Sequence, residues 1–100
     1  MSSVASPDGA ITADWYQVSG GGAASAVSDT VALRFTNEPF TPRRRDYVFG
    51  AMDADTLELH WRGDRQLEII YPSRSYVGRM SPTWKDVKIA YIERRMDDVR

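Results

Sequence analysis

The chain of 100 residues contains no cysteine and a single histidine, His60. Without thiols it can form no disulfide, cysteine-ligated zinc site, iron–sulfur cluster or cysteine nucleophile. A histidine base needs an orienting acid and a nearby nucleophile, and no spacing in the sequence supplies both around His60. We therefore predict that the protein is not an enzyme and has no cofactor, and that His60 lies on the polar face of a strand. The competing class is an enzyme or small-ligand binder whose carboxylates pair only in the folded chain.

The chain also has almost no excess of either charge, since 13 lysine and arginine residues nearly balance 14 acidic residues and leave a net charge of -1. No basic field draws the chain to nucleic acid, and we predict none as a partner. The run Arg43, Arg44 and Arg45 follows a proline and has no interleaved aromatic residues. We expect a solvated loop there, with contact to a partner protein as the alternative.

Long hydrophobic runs are missing as well, because none approaches the roughly 18 residues of a membrane helix. No membrane span is predicted. Residues 1–5 lack the basic start and apolar centre of a signal peptide, and we predict that they are disordered or processed. If Met1 stands in place of a removed export signal or lipid-bearing cysteine, the protein is periplasmic or membrane-anchored. If Met1 is the natural start, the protein is cytoplasmic.

Alternation of apolar and polar residues predicts β-strands through most of the chain. Strands are predicted over residues 11–18, 27–35, 47–49 and 87–91, and a hairpin with one wet face over residues 55–71. Residues 36–42 and 72–82 each contain two prolines and are predicted loops. The fold class is therefore mainly all-β, with about six antiparallel strands in a meander, a small sandwich or an open barrel. One β domain is expected over residues 6–93, followed by a charged C-terminal tail at 94–100.

The run Gly20, Gly21 and Gly22 is the most conspicuous glycine feature of the sequence. A phosphate-binding loop needs a lysine and a helix after its glycines, and here small residues and a predicted strand follow. The run is therefore predicted to be a tight connection or bulge between two strands. Contact of this loop with a partner protein is the alternative.

Aromatic residues mixed with basic ones mark the second predicted loop. Tyr76 and Trp84 lie in or beside it, with Arg79 and Lys85 close in sequence. Such a mixture on loops is typical of protein-binding hot spots, and we predict these four residues as partner contacts. Trp61 falls on the apolar face of the hairpin and is predicted to be core.

The chain resembles a bacterial family of small domains of unknown function. The shared segments are the turn Ser6-Pro7-Asp8-Gly9, the run Gly20-Gly21-Gly22-Ala23-Ala24, the hairpin LELHWRGDRQLEIIY at residues 57–71 and the last predicted strand. Family members begin S-P-D/N-G-K and carry a G-G-A-T-T-like segment after the first strand. The resemblance implies a compact β domain, often exported or lipid-anchored, with no cofactor and no known activity. The chain departs from it at Ala10, where lysine is frequent, and at residues 23–25, where Ala-Ala-Ser replaces Ala-Thr-Thr.

Small size, missing catalytic groups and loop aromatics together favour a protein that acts by binding another protein. We expect a small bacterial immunity or inhibitor protein that neutralises a toxin or an enzyme. Two alternatives stay open. One is a phage-encoded inhibitor of a host defence system that acts in the cytoplasm, and the other is a structural component of an envelope or virion assembly.

Overall fold

The computed structural model describes residues 2–19, 27–41, 47–52, 56–73 and 75–94, and the regular elements among them are all β-strands. Nine strands follow in chain order: β1 (Ser2–Ala5), β2 (Ile11–Ser19), β3 (Val27–Phe35), β4 (Phe49–Met52), β5 (Glu58–Gly63), β6 (Gln66–Pro72), β7 (Tyr76–Met80), β8 (Thr83–Trp84) and β9 (Val87–Arg94). The predicted all-β class is confirmed, with nine described strands instead of about six.

Two sheets divide these strands. Sheet A has the order β1-β2-β3-β4-β7, and sheet B has the order β5-β6-β9-β8. Neighbouring strands are antiparallel except for β6 and β9, which run parallel with Leu67 opposite Ile89. The described strands form two separate sheets and not a closed barrel, so the small sandwich is the arrangement that fits. The sequence predicts only antiparallel pairs, and this parallel pair departs from that prediction. Local patterns do not indicate it, because β6 and β9 are distant in sequence.

The core lies between the two sheets, because alternate residues of each strand point toward the opposite sheet. Buried residues of this cluster include Ile11, Ala13, Val31, Leu33, Phe49 and Ala51 from sheet A, and Leu67, Ile69, Trp84, Val87 and Ile89 from sheet B. Trp61, predicted as core, is only partly buried and packs against the cluster. The alternation read from the sequence therefore locates the core face of both sheets.

Part of the outer face of sheet A is also covered. The Asp14 carboxylate, 2% exposed, accepts from Arg34 Nε over 2.8 Å. Arg34 Nη1 also donates to the Glu38 carbonyl over 2.7 Å, in the loop after β3. The Phe40 ring meets the Tyr16 ring nearly edge-on, with centroids 5.1 Å apart. The loop from residue 36 onward therefore closes over the middle of this face.

Residues 1–5 are predicted to be disordered or processed, and Ser2–Ala5 are ordered in the structure as the edge strand β1, opposite Thr12 to Trp15 of β2. Trp61 Nε1 donates to the Val4 carbonyl over 2.9 Å and fastens this strand to sheet B. A short strand without an apolar alternation gives no local signal, because its pairing depends on a distant partner. The turn after it forms as predicted, with Gly9 at φ 74°.

The segment 72–82, predicted as a loop, contains the whole of strand β7 and the connection from β7 to β8. The strand predicted at 47–49 is shifted, because β4 is Phe49–Met52. At the C-terminus β9 continues to Arg94, which lies opposite Pro72 and so belongs to the sheet and not to the tail. Residues 95–100 of the predicted tail lie outside the described residues.

Candidate protein-binding surface

A row of four side chains, three of them apolar or aromatic, crosses one end of the outer face of sheet A, the face directed away from sheet B. Cross-strand register places Val18 opposite Ser28, Ser28 opposite Met52, and Met52 opposite Tyr76. Directly opposite residues share a face, so the four form one line across β2, β3, β4 and β7. Val18 is 38% exposed, Met52 43% and Tyr76 71%. Tyr76 therefore presents most of its ring to solvent.

A β-bulge in β7 brings Arg79 to the same face as Tyr76. Regular alternation would direct residues three apart to opposite faces. In the structure Met52 lies opposite Tyr76 and Gly50 lies opposite Arg79, with Gly78 as the extra residue. Gly50 and Met52 are two residues apart on β4 and share the outer face. The bulge thus re-aims the Arg79 side chain toward the Tyr76 side of the sheet.

The Arg79 guanidinium lies over the Tyr47 ring, with 4.6 Å between Cζ and the ring centroid. Tyr47 occupies the space that a side chain on Gly50 would need, since a Cβ there would stand 2.9 Å from Tyr47 Cε2. A cation above an aromatic face is attracted by the ring quadrupole. The missing side chain of Gly50 therefore allows a stacked arginine on this surface.

We name this set of residues the Tyr76 surface: Val18, Tyr47, Met52, Tyr76 and Arg79. Tyr76 and Arg79 are candidates that the sequence predicts, and the structure brings them together. Val18, Met52 and Tyr47 join them only through cross-strand register and loop packing, which leave no local signal. A period-two reading of β2 places Val18 on the polar side, and that is the one hint in the sequence.

Trp84, predicted as a partner contact, does not belong to this surface, because the structure buries it. It is 5% exposed and belongs to the core cluster. Its ring packs against the ring of Phe35, with 5.4 Å between the two centroids. Phe35 is the last residue of β3, whereas Ser28 lies near the start of that strand. Phe35 lies seven residue steps from Ser28 along β3, or about 23 Å. A position beside a predicted loop favours exposure, whereas the short strand β8 turns this ring into the core.

Lys85 lies with Trp84 and is likewise distant from the Tyr76 surface. Its Nζ is 5.2 Å from the Trp84 ring centroid and 5.8 Å from the Phe35 centroid. Its φ of 52° is in the left-handed region, which side chains other than glycine seldom adopt. The structure therefore places Lys85 in the turn between β8 and β9, against the buried ring of Trp84 and the partly exposed ring of Phe35.

The remaining candidates are not described by the structure. Gly20, Gly21 and Gly22 lie outside the described residues, and so do Arg43, Arg44 and Arg45. Their assignment to partner contacts stays a prediction.

The outer face of sheet B carries two ion pairs, Glu58 with Arg94 and Glu68 with Arg62, and a histidine hydrogen-bonded to Glu58. His60 Nε2 is 3.0 Å from Glu58 Oε1, and Glu58 also pairs with Arg94. Hydrogen bonding by His60, and then by Arg94, lowers the pKa of the Glu58 carboxyl below its ordinary value of 4.5. Arg62 Nη2 is 2.6 Å from Glu68 Oε1, and this hydrogen bond lowers the pKa of Glu68. His60 thus lies on the polar face of its strand, as predicted, in a partly exposed pair with Glu58.

The described residues contain no group of three or more histidine, aspartate or glutamate side chains that could hold a metal ion. They contain no helix that is long and apolar enough to cross a membrane. An open cleft of about 720 Å³ lies between the turn at Gly9 and the loop at Thr36 to Glu38.

No protein-family model, curated protein or solved structure matches this chain. The resemblance to the bacterial family of small domains stays a prediction.

Proposed function

We propose that this protein is a non-enzymatic domain that binds another protein through the Tyr76 surface. One observation carries the proposal: Tyr76, 71% exposed, shares a face with exposed Met52 and with Arg79 stacked on Tyr47. Among the described residues, the surface is the part of this face that neither Phe40 nor the loop after β3 covers.

The chemistry of the surface suits a protein interface. Tyrosine, methionine and arginine are enriched in the centres of such interfaces, and large energetic contributions come from Tyr and Arg. Burial of the Tyr76 ring and the Met52 side chain would remove apolar area from water. Tyr47 already holds Arg79 in one position, so little side-chain entropy is lost when a partner covers it.

Neutralisation of a toxin or an enzyme is the finer function that we propose. A small rigid sandwich can cover a catalytic site without chemistry of its own, and a preformed surface binds at low ordering cost. If the partner is a host-defence protein, the first alternative applies, a phage-encoded inhibitor. If the partner is an envelope or virion component, the second alternative applies, a structural part of that assembly. The identity of the partner separates these three roles.

Site-specific photo-crosslinking tests the proposal. Tyr76 is replaced by p-benzoylphenylalanine in cells that carry the native gene, and adducts formed under ultraviolet light are identified by mass spectrometry. The matched control carries the same residue at Ile92, which is 42% exposed on the outer face of sheet B. We expect a discrete adduct with one protein from position 76 and none from position 92. No adduct at 76, or the same adducts from both positions, contradicts the proposal.

A further inference from the structure

The edges of the two sheets differ in how they are protected. Sheet A ends in β1 and β7, and sheet B ends in β5 and β8. β1 and β5 lie against each other at the hydrogen bond from Trp61 to the Val4 carbonyl. β8 has only two residues, and very short strands offer little to pair with. Among the described strands, β7 is left as a five-residue edge whose side chains are all exposed and which no other described strand covers.

The main-chain groups of β7 face outward at defined positions. Ser81 donates its N–H to the Val48 carbonyl over 2.8 Å, toward the β4 side. In an antiparallel ladder, the next residue directs its N–H and C=O the other way. The N–H and C=O of Met80 therefore point away from β4, toward the open edge.

The bulge keeps this edge usable by a regular strand. Val77 lies opposite Ala51 and Met80 opposite Phe49, so the two β7 residues face positions i and i+2 of β4. A bulge fits two residues into the space of one partner residue. Val77 and Met80 therefore direct their main-chain groups to the same side of β7. They are spaced like residues i and i+2 of a regular strand. One extended segment can pair with both.

The side chains of the same two residues lie on the core side of sheet A and are incompletely covered. Val77 and Met80 are each 38% exposed, whereas Ala51 and Phe49 opposite them are 3% and 0% exposed. Sheet A has five strands and sheet B four, and β8 in sheet B is short. The apolar face of sheet A therefore extends beyond the strands opposite it at β7.

We propose that the β7 edge accepts an extended segment of the partner protein as a sixth strand of sheet A, an inference that rests on the protein-binding function proposed above. The segment pairs its main chain with Val77 and Met80 and covers their side chains with apolar residues at alternate positions. Strand addition of this kind takes its affinity from main-chain hydrogen bonds and its selectivity from alternate side chains.

The charge on β7 favours a foreign strand over a second copy of this chain. Arg79 is the one charged residue of β7 and is directed to the outer face. A second copy paired through its own β7 would add another arginine to the same face of the joined sheet, and neighbouring like charges are destabilising. A partner strand with acidic residues on its outer-facing positions is attracted instead.

Synthetic peptides provide the probe. The acetylated and amidated heptapeptide TVEVEVT, and its basic counterpart TVKVKVT, are titrated into the isotopically labelled full chain at millimolar concentration, and amide signals are followed by NMR. Two further versions of the acidic peptide carry N-methyl groups on all valines or on both glutamates. Since alternate N–H groups of a strand point to opposite edges, a peptide that adds to one edge tolerates only one of these patterns.

We expect the acidic peptide to shift the amide signals of residues 76–81, with at least tenfold higher affinity than the basic peptide. One methylated peptide should retain this binding and the other should lose it. Shifts confined to other strands, equal binding of both methylated peptides, or no shift in β7 with any peptide overturns strand addition. Concentration-dependent dimers that involve β7, detected by light scattering, overturn the choice of a foreign strand.

Two variants of one residue complete the test. Met80→Pro removes the outward N–H without removing a donor to β4, whereas Met80→Ala keeps that N–H and removes the side chain. We expect Met80→Pro to abolish the peptide shifts and Met80→Ala to weaken them only severalfold. Both Tyr76→Ala and Met80→Pro are also tested for binding to the protein that crosslinks at position 76. If Tyr76→Ala loses this binding and Met80→Pro keeps it, strand addition is refuted and the proposed function is not. Unchanged binding in both variants refutes the proposed function as well.

Discussion

The guanidinium of Arg79 and the ring of Tyr47 are stacked on the outer face of sheet A, 4.6 Å apart between Cζ and ring centroid. Tyr47 precedes β4 and Arg79 belongs to the edge strand β7, so the contact joins a loop end to the sheet edge. It exists because Gly50 has no side chain and because the bulge at Gly78 turns Arg79 outward. The shape of the Tyr76 surface therefore depends on two glycines.

Gly50→Ala should displace Tyr47 and disrupt this stacking. The added methyl group would come within 2.9 Å of Tyr47 Cε2, so the ring must move. We expect the ring-current shift of the Arg79 side-chain protons to disappear in NMR spectra, with a stability loss of about 1 kcal/mol from overpacking. Gly63→Ala is the control, because the nearest atom to its Cβ is 3.6 Å away. Retention of the ring-current shift in Gly50→Ala would show that the stacking does not depend on this glycine.

Trp84→Ala should lower the free energy of unfolding by about 4 kcal/mol, because a large buried ring is lost and a cavity remains. The ring is 5% exposed and packs on Phe35. Chemical denaturation measures the change. Ile92→Ala in the same sheet removes a side chain that is 42% exposed and should cost less than about 1 kcal/mol. Equal effects of the two substitutions would contradict the placement of Trp84 in the core.

Lys85→Gly should be more stable than Lys85→Ala by about 1 kcal/mol, since φ is 52° at this position and alanine keeps the steric cost of the left-handed region. Both variants lose the contact of the amine with Trp84 and Phe35. Their difference in unfolding free energy therefore isolates the backbone term. An alanine variant as stable as the glycine variant would mean that the turn does not hold this φ in solution.

Acid should weaken the ion pairs on the outer face of sheet B. The pKa of Glu58 is lowered in the folded state by His60 and Arg94, so its contribution to stability is complete above the ordinary value of 4.5 and is lost as pH falls through the lower folded value. Wild-type protein should thus exceed Glu58→Gln in stability at neutral pH, and the difference should shrink below pH 4.5. Thermal unfolding across this range measures it. A difference that is independent of pH would show that the pairing is not ionic.

Much of the sandwich could be predicted from alternation. β2, β3 and the hairpin of β5 and β6 carry apolar residues at most alternate positions, and the predicted bounds of β3 coincide with the observed Val27–Phe35. β7 could not be predicted in this way, because the bulge at Gly78 interrupts its period and Pro72 and Pro82 flank it. β1 and the parallel pairing of β6 with β9 depend on contacts between distant segments, which local patterns do not record.

The candidate site was predictable only in part. The mixture of aromatic and basic residues in the sequence indicates Tyr76 and Arg79 of β7. It indicates Trp84 equally, although the two-residue strand β8 buries that ring. Met52 and Val18 acquire their place beside Tyr76 through the register of four strands. Register is set by packing of the whole sheet.

The dissociation constant of the protein crosslinked at position 76 tests the central claim most directly. It is measured by calorimetry with purified wild-type protein, Tyr76→Ala and the control Ile92→Ala. Loss of a hot-spot tyrosine is expected to weaken binding at least tenfold, or by about 1.4 kcal/mol. Ile92→Ala should bind within twofold of wild type. Equal dissociation constants for wild type and Tyr76→Ala would contradict the assignment of the Tyr76 surface as the binding site.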